Sequence, residues 1–124
     1  MITIAEMEKM LDDIVSEFPK ELFNELNGGI ILLPEAMPNP AGINLYILGQ
    51  YHRGGNLGRY ISIYYGSFEK VYGYLDEKRL NEKLTHTLKH EFTHHLESLA
   101  GEKGLEVKDA EFLADYLKKN PVQE

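Results

Sequence analysis

The segment 90–94 carries side chains whose types and spacing suit a divalent metal ion. It reads His90-Glu91-Phe92-Thr93-His94, so two histidines stand four residues apart with a glutamate directly after the first. In an α-helix, residues four apart lie one turn apart on the same face, and their imidazoles can share one ion. Glu91 would project beside the pair, where a carboxylate can act as a general base toward a water molecule.

A zinc site built on this pair needs a third ligand. Catalytic zinc commonly takes three protein ligands and keeps one open position. The chain has no cysteine, so the missing ligand must be Asp, Glu or His. Asp109 and Glu111 are the candidates, because glycines at 101 and 104 would let the chain turn back toward the histidines. Either acid also suits an ordinary role at the start of a helix, as a cap or as a first-turn carboxylate.

Two other histidines flank the motif. His86 stands one turn before His90 and is expected to be an exposed helix residue rather than a ligand. His95 falls close to the apolar stripe that contains Leu88, so we expect a partly buried histidine that packs and hydrogen-bonds.

The motif lies inside a long stretch of helical periodicity. From Asp76 to Leu99 the chain has neither Pro nor Gly, and its leucines recur on one side of a helical wheel. This pattern predicts one long helix, ended by Gly101 and Gly104. The apolar residues from Val107 to Leu117 predict a C-terminal helix.

The first half of the chain predicts two helices and then a sheet. Apolar residues recur from Ile4 to Phe18, and Thr3 with Glu6 forms a capping-box pattern, so an N-terminal helix is expected. A short helix is expected from Pro19 to Leu26. Three runs rich in Ile, Leu and Tyr predict strands in a small twisted sheet of three to four strands, namely Ile30–Leu33, Ile43–Gln50 and Arg59–Tyr65. The expected class is α+β.

Length and charge narrow the possible partners. The chain has 124 residues, which predicts one domain over residues 1–124. Its formal net charge of -7 would repel phosphate backbones and anionic lipid, so neither nucleic acid nor a membrane is an expected partner. No apolar run approaches the roughly 20 residues of a membrane-spanning helix. The N-terminus lacks the basic start and apolar stretch of a signal peptide, which predicts a cytoplasmic protein. Oligomeric state is left open.

The run from Thr87 to Leu117 resembles the minimal zincin-like metallopeptidases of bacteria, small Asp-zincin-type domains in which H-E-x-x-H-H precedes an acidic ligand. The doubled His94-His95 matches that pattern. The strand Tyr60–Tyr65 followed by Gly66-Ser67-Phe68 also resembles the family's tyrosine-containing strand, so the likeness covers about Arg59 to Leu117. The resemblance implies a Zn²⁺-dependent peptidase that acts on a peptide or protein substrate.

The chain departs from this family at two positions. The family usually has Gly three residues after the second metal histidine and Asp three residues further on, where this chain has Glu97 and Ala100. A longer helix and turn would let Asp109 replace the displaced aspartate. Glu111 followed four residues later by Asp115 instead resembles the gluzincin arrangement, in which the third ligand is Glu.

Three functional hypotheses follow. The first is zinc-dependent peptide hydrolysis with Glu91 as general base, the substrate lying along a free sheet edge at Arg59–Tyr65. The second is a catalytically weak or inactive module on the same fold that binds metal or peptide. The third is an interaction domain in which the histidine motif arises by chance.

Overall fold

The computed structural model describes the backbone of residues 1–102 and 107–118 and the side chains of residues 1–101 and 110–118. Within these residues, helices flank two small sheets, and the predicted α+β class is confirmed. The helices are α1 (Ile4–Val15), α2 (Tyr65–Tyr72), α3 (Glu77–Glu102) and α4 (Val107–Lys118). The strands are β1 (Gly29–Leu33), β2 (Met37–Pro38), β3 (Tyr46–Ile47), β4 (Gly49–His52) and β5 (Tyr60–Tyr64).

The N-terminal helix begins as the sequence predicts. The Thr3 side chain accepts the Glu6 backbone N–H at 3.1 Å, and the Glu6 carboxylate accepts the Thr3 N–H at 2.8 Å. Two backbone donors that a helix start would leave unpaired are thereby satisfied. The second predicted helix is shorter than expected, a single 3₁₀ turn over Lys20–Phe23.

The principal sheet has the order β1-β5-β4 and is mixed. β5 lies in the centre, parallel to β1 and antiparallel to β4. The expectation that a substrate uses a free edge at Arg59–Tyr65 is therefore wrong, because both edges of β5 are already paired. The predicted strand Ile43–Gln50 forms parts of β3 and β4, and β3 pairs with β2 in a separate two-stranded ladder.

The long helix α3 presents its apolar stripe to the core, as its periodicity predicts. Its largest apolar side chains are at most 7% exposed, and they pack with residues of α1, β5 and α4. They are Leu80, Leu84, Leu88, Phe92, Leu96 and Leu99. The helix does not break at Gly101 but includes it and ends at Glu102, while Gly104 lies outside the described residues. No helix in the described part of the chain is long and apolar enough to cross a membrane.

A short helix that the sequence analysis missed, α2, follows β5 without a loop. It starts at Tyr65, and the Gly66 N–H donates to the Glu35 carbonyl at 3.1 Å. A Cβ atom at Gly66 would lie 2.4 Å from the Ala36 nitrogen and 2.6 Å from the Glu35 carbonyl carbon. The direct turn from strand to helix therefore depends on a residue without a side chain, since backbone atoms fill that space.

Substitution of glycine by alanine should have opposite effects on stability in α2 and in α3. Gly66→Ala should lower the free energy of unfolding by about 1–3 kcal/mol, because the new methyl group forces backbone atoms apart. Gly101→Ala should raise it by about 0.5–1 kcal/mol, because that position is helical and has no atom within 4 Å of the new Cβ. Urea denaturation of both variants measures the difference, and equal stabilities would contradict this packing.

Candidate metal centre

His90 and His94 converge at the surface of α3. Their Nε2 atoms are 3.2 Å apart, and the ring planes lie at 87° to one another with centroids 4.8 Å apart. Two nitrogens bound to one tetrahedral zinc, each at 2.0–2.1 Å, would be separated by about 3.3 Å. The pair therefore already has the spacing that a shared ion requires.

The carboxylate of Glu97 sets the tautomer of the His94 ring. The Nδ1 atom of His94 lies 3.4 Å from the Glu97 carboxylate, which can only accept, so Nδ1 carries the proton in the neutral ring. The Nε2 atom of His94 is then unprotonated and carries the lone pair that a metal ligand needs. Sequence reasoning treated Glu97 only as a departure from a family pattern, although its spacing of three residues from His94 was a usable signal.

The electrostatics keep His90 neutral. Burial lowers its pKa, and the neighbouring His94 and His86 lower it further, while Glu97 opposes them. A neutral imidazole is the form that binds a metal ion.

Glu91 is the buried acid of the motif, with 6% of its surface exposed. Burial raises the pKa of its carboxyl group to about 7, against smaller opposing effects of His94 and of the Tyr51 backbone N–H. A carboxyl group that is near half-protonation at neutral pH can both take up and release a proton.

A cleft of about 670 Å³ lies over these residues. One wall is α3, which contributes the histidine pair, Glu91, Glu97 and Ser98, and the other consists of Ile47, Gly49, Gln50, Tyr51 and Arg53. Gly49 brings the strand close to the helix, because a Cβ there would lie 3.0 Å from the Thr87 side chain. The sheet edge at the candidate centre is therefore β4.

The structure describes the two candidate third ligands, Asp109 and Glu111, to different extents. The side chain of Asp109 lies outside the described residues. Glu111 is exposed on α4, and among described side chains no group of three His, Asp or Glu residues is placed to hold a metal. The described part of α4 contacts α3 at Lys89, whose ammonium lies 4.8 Å from the centre of the Tyr116 ring. The described residues thus bring together His90, Glu91 and His94, but no third ligand.

The remaining histidines of α3 match their predicted roles. His86 is exposed. His95 is 1% exposed and has two hydrogen-bond partners, the Tyr51 hydroxyl at 2.8 Å and the Asn24 carbonyl at 2.7 Å. The doublet His94-His95 therefore places one imidazole in the cleft and the other in the interior.

One solved structure is related to the chain in both sequence and fold. A conserved hypothetical protein from Thermus thermophilus is 33% identical to it, with a TM-score of 0.72, and the match covers 80% of this chain and 98% of that one. The chain belongs to the family of that protein. The name of the Thermus thermophilus protein assigns no activity to the family. No family model matches the chain, and neither does any curated protein.

Proposed function

We propose that this protein is a zinc-dependent metallopeptidase, similar to the minimal zincin-like enzymes, that hydrolyses peptide bonds. The observation that carries the proposal is the convergence of the His90 and His94 Nε2 atoms at 3.2 Å in a cleft that also contains the buried Glu91. Two imidazoles at ligand spacing beside a carboxyl group of raised pKa are the donor set and the base that metal-assisted hydrolysis uses.

The side chains would divide the chemistry as follows. Zinc bound to the histidine pair would supply a Lewis acid for water and for the peptide carbonyl. Glu91 would accept a proton as the water oxygen forms its bond to the carbonyl carbon. The same carboxyl group would then donate that proton to the departing amine as the C–N bond breaks, so Glu91 returns to its starting form.

A substrate backbone can pair with the outer edge of β4. The Leu48 carbonyl accepts the Tyr64 N–H and points toward β5, whereas the Tyr51 N–H points the other way, toward Glu91. In an antiparallel pair, inward and outward groups alternate along the strand, so Gly49 and Tyr51 both direct backbone groups toward the cleft. An extended peptide in the cleft would add to the sheet beside α3, with its scissile bond over the histidines.

Asp109 remains the proposed third ligand, with Glu111 as the alternative. In α4, Asp109 stands four residues before Leu113, whereas Glu111 stands two residues before it. Leu113 is a buried residue of the core, and positions four apart share a helix face. The spacing therefore favours Asp109, whereas Glu111 is exposed on α4.

The Glu97→Gln substitution should weaken zinc binding without abolishing it. The amide cannot hold the His94 ring by a charge-assisted bond, and partners of this kind typically contribute about 10- to 100-fold in metal affinity. Competition with a chromogenic chelator measures the change. Glu77→Gln, at the far end of the same helix, is the control and should bind zinc as the wild type does.

The function is tested by incubating the zinc-loaded protein with a peptide library, beside a chelator-treated sample and the Glu91→Gln variant. Cleavage that depends on zinc and on Glu91 supports a peptidase. Stoichiometric zinc without cleavage favours the binding module. If zinc dialysis leaves less than about a tenth of an equivalent bound, the motif is accidental and both other readings fail.

A further inference from the structure

Two hydrogen bonds connect the buried His95 to Asn24 and to Tyr51, a residue that lines the cleft beside Glu91. The His95 Nε2 atom lies 2.7 Å from the Asn24 carbonyl oxygen, which can only accept, so Nε2 carries the proton. The Nδ1 atom of the neutral ring therefore accepts, and its partner is the Tyr51 hydroxyl at 2.8 Å. The backbone N–H of Tyr51 also faces the Glu91 carboxylate, since both residues line the cleft and this N–H lowers the pKa of the carboxyl group.

The geometry indicates that these hydrogen bonds have a function beyond packing. Glu91 and His95 are one turn apart on α3, and Tyr51 meets both of them, one through its backbone and the other through its phenol group. The edge strand is therefore attached to the helix at two points beside the cleft. A shift of β4 would displace the Tyr51 N–H relative to the Glu91 carboxylate that it faces, and proton transfer is sensitive to such displacements.

We propose that His95 is a positioning residue that acts through Tyr51 to fix the Glu91 carboxylate and the edge of β4 for catalysis. The proposal rests on the proposed function, because it assigns His95 a part in the same reaction. It gives the two adjacent histidines separate tasks, His94 at the metal and His95 behind the base.

The test compares three substitutions, at Tyr51 and His95, with a matched substitution elsewhere in the protein. Tyr51→Phe removes the hydroxyl and keeps the ring. His95→Leu removes both hydrogen bonds, whereas His95→Gln keeps an acceptor for Tyr51 and a donor for Asn24. The control is Tyr65→Phe, which removes a phenol hydrogen bond to the Ile2 carbonyl, since neither of those residues lines the cleft.

The kinetic result should separate positioning from general stability. Tyr51→Phe and His95→Leu should lower kcat by about tenfold with KM within about twofold and zinc content unchanged. His95→Gln should recover most of the lost kcat, and Tyr65→Phe should keep the wild-type value. Because His95→Leu is a substitution in the core, Tyr51→Phe decides the question if that variant does not fold. A kcat for Tyr51→Phe equal to that of Tyr65→Phe would overturn the proposal.

Hydrogen exchange at the backbone amide of residue 51 provides a measurement that does not depend on activity. The exchange rate should rise about tenfold in Tyr51→Phe and stay at the wild-type rate in Tyr65→Phe, because only the first change loosens the attachment of β4 to α3. If the wild-type protein hydrolyses no peptide, the proposed function fails and this amide still decides the positioning role. Faster exchange in Tyr51→Phe supports that role, and an unchanged rate refutes it.

Discussion

Glu91→Gln should reduce peptide hydrolysis by a factor of about 10²–10⁴ while zinc content stays at the wild-type level. The glutamine side chain has nearly the same shape, so it can still accept the Tyr51 N–H, but it cannot take up a proton. It is also not expected to be a ligand, because the convergent metal-binding atoms belong to His90 and His94. The measurement is kcat on a cleaved library peptide together with zinc content by atomic absorption.

A second glutamate of α3, Glu77, provides the control that shows whether the loss of hydrolysis is specific to Glu91. Glu77→Gln lies in the first turn of α3, outside the cleft lining, and should hydrolyse peptides at the wild-type rate. Equal rates for the wild type, Glu91→Gln and Glu77→Gln would mean that any cleavage comes from a contaminating protease. The assignment of Glu91 as the base would then be withdrawn.

Zinc should raise the melting temperature of the wild-type protein by about 10 °C when the free ion is a hundredfold above its dissociation constant. Binding to the folded state alone would contribute about 2.7 kcal/mol under that condition. His94→Ala should lose this shift, because it removes one of the two converging imidazoles. A thermal melt with and without zinc measures the effect.

His86→Ala serves as the matched control for that experiment. His86 is also an exposed histidine of α3 and stands one turn before His90, so its removal takes away an imidazole but not the 3.2 Å pair. It should keep the full zinc-dependent rise. A rise of the same size in His94→Ala would show that zinc binds elsewhere on the protein.

The elements that the sequence predicted well are those with a long, regular pattern. The stripe from Leu80 to Leu99 and the Thr3 capping box are local properties of the chain, and both are present in the structure. Strand order was not predictable in the same way. β5 is buried on successive residues because it is central, but nothing in Arg59–Tyr65 itself shows which strands will flank it. The helix α2 was missed because eight residues with three aromatic side chains give only a weak helical signal.

The same distinction between local pattern and tertiary packing applies to the candidate site. The positions of His90, Glu91 and His94 follow from helix geometry alone and could be predicted from their spacing. The role of Tyr51 could not, because it depends on β4 meeting α3 across 40 or more residues of sequence. A third ligand from the C-terminal segment poses the same problem, since helix spacing does not set how α3 and α4 pack.

The shortness of β4 limits which polypeptides would be substrates of the proposed peptidase. Its four residues span about 13 Å, room for only a few main-chain bonds to a bound segment. A stretch inside a folded domain has its own main-chain groups already engaged and cannot enter such a slot without local unfolding. Loose termini, damaged chains and unstructured linkers would be cut, and the intact proteins around them would be spared without any separate inhibitor.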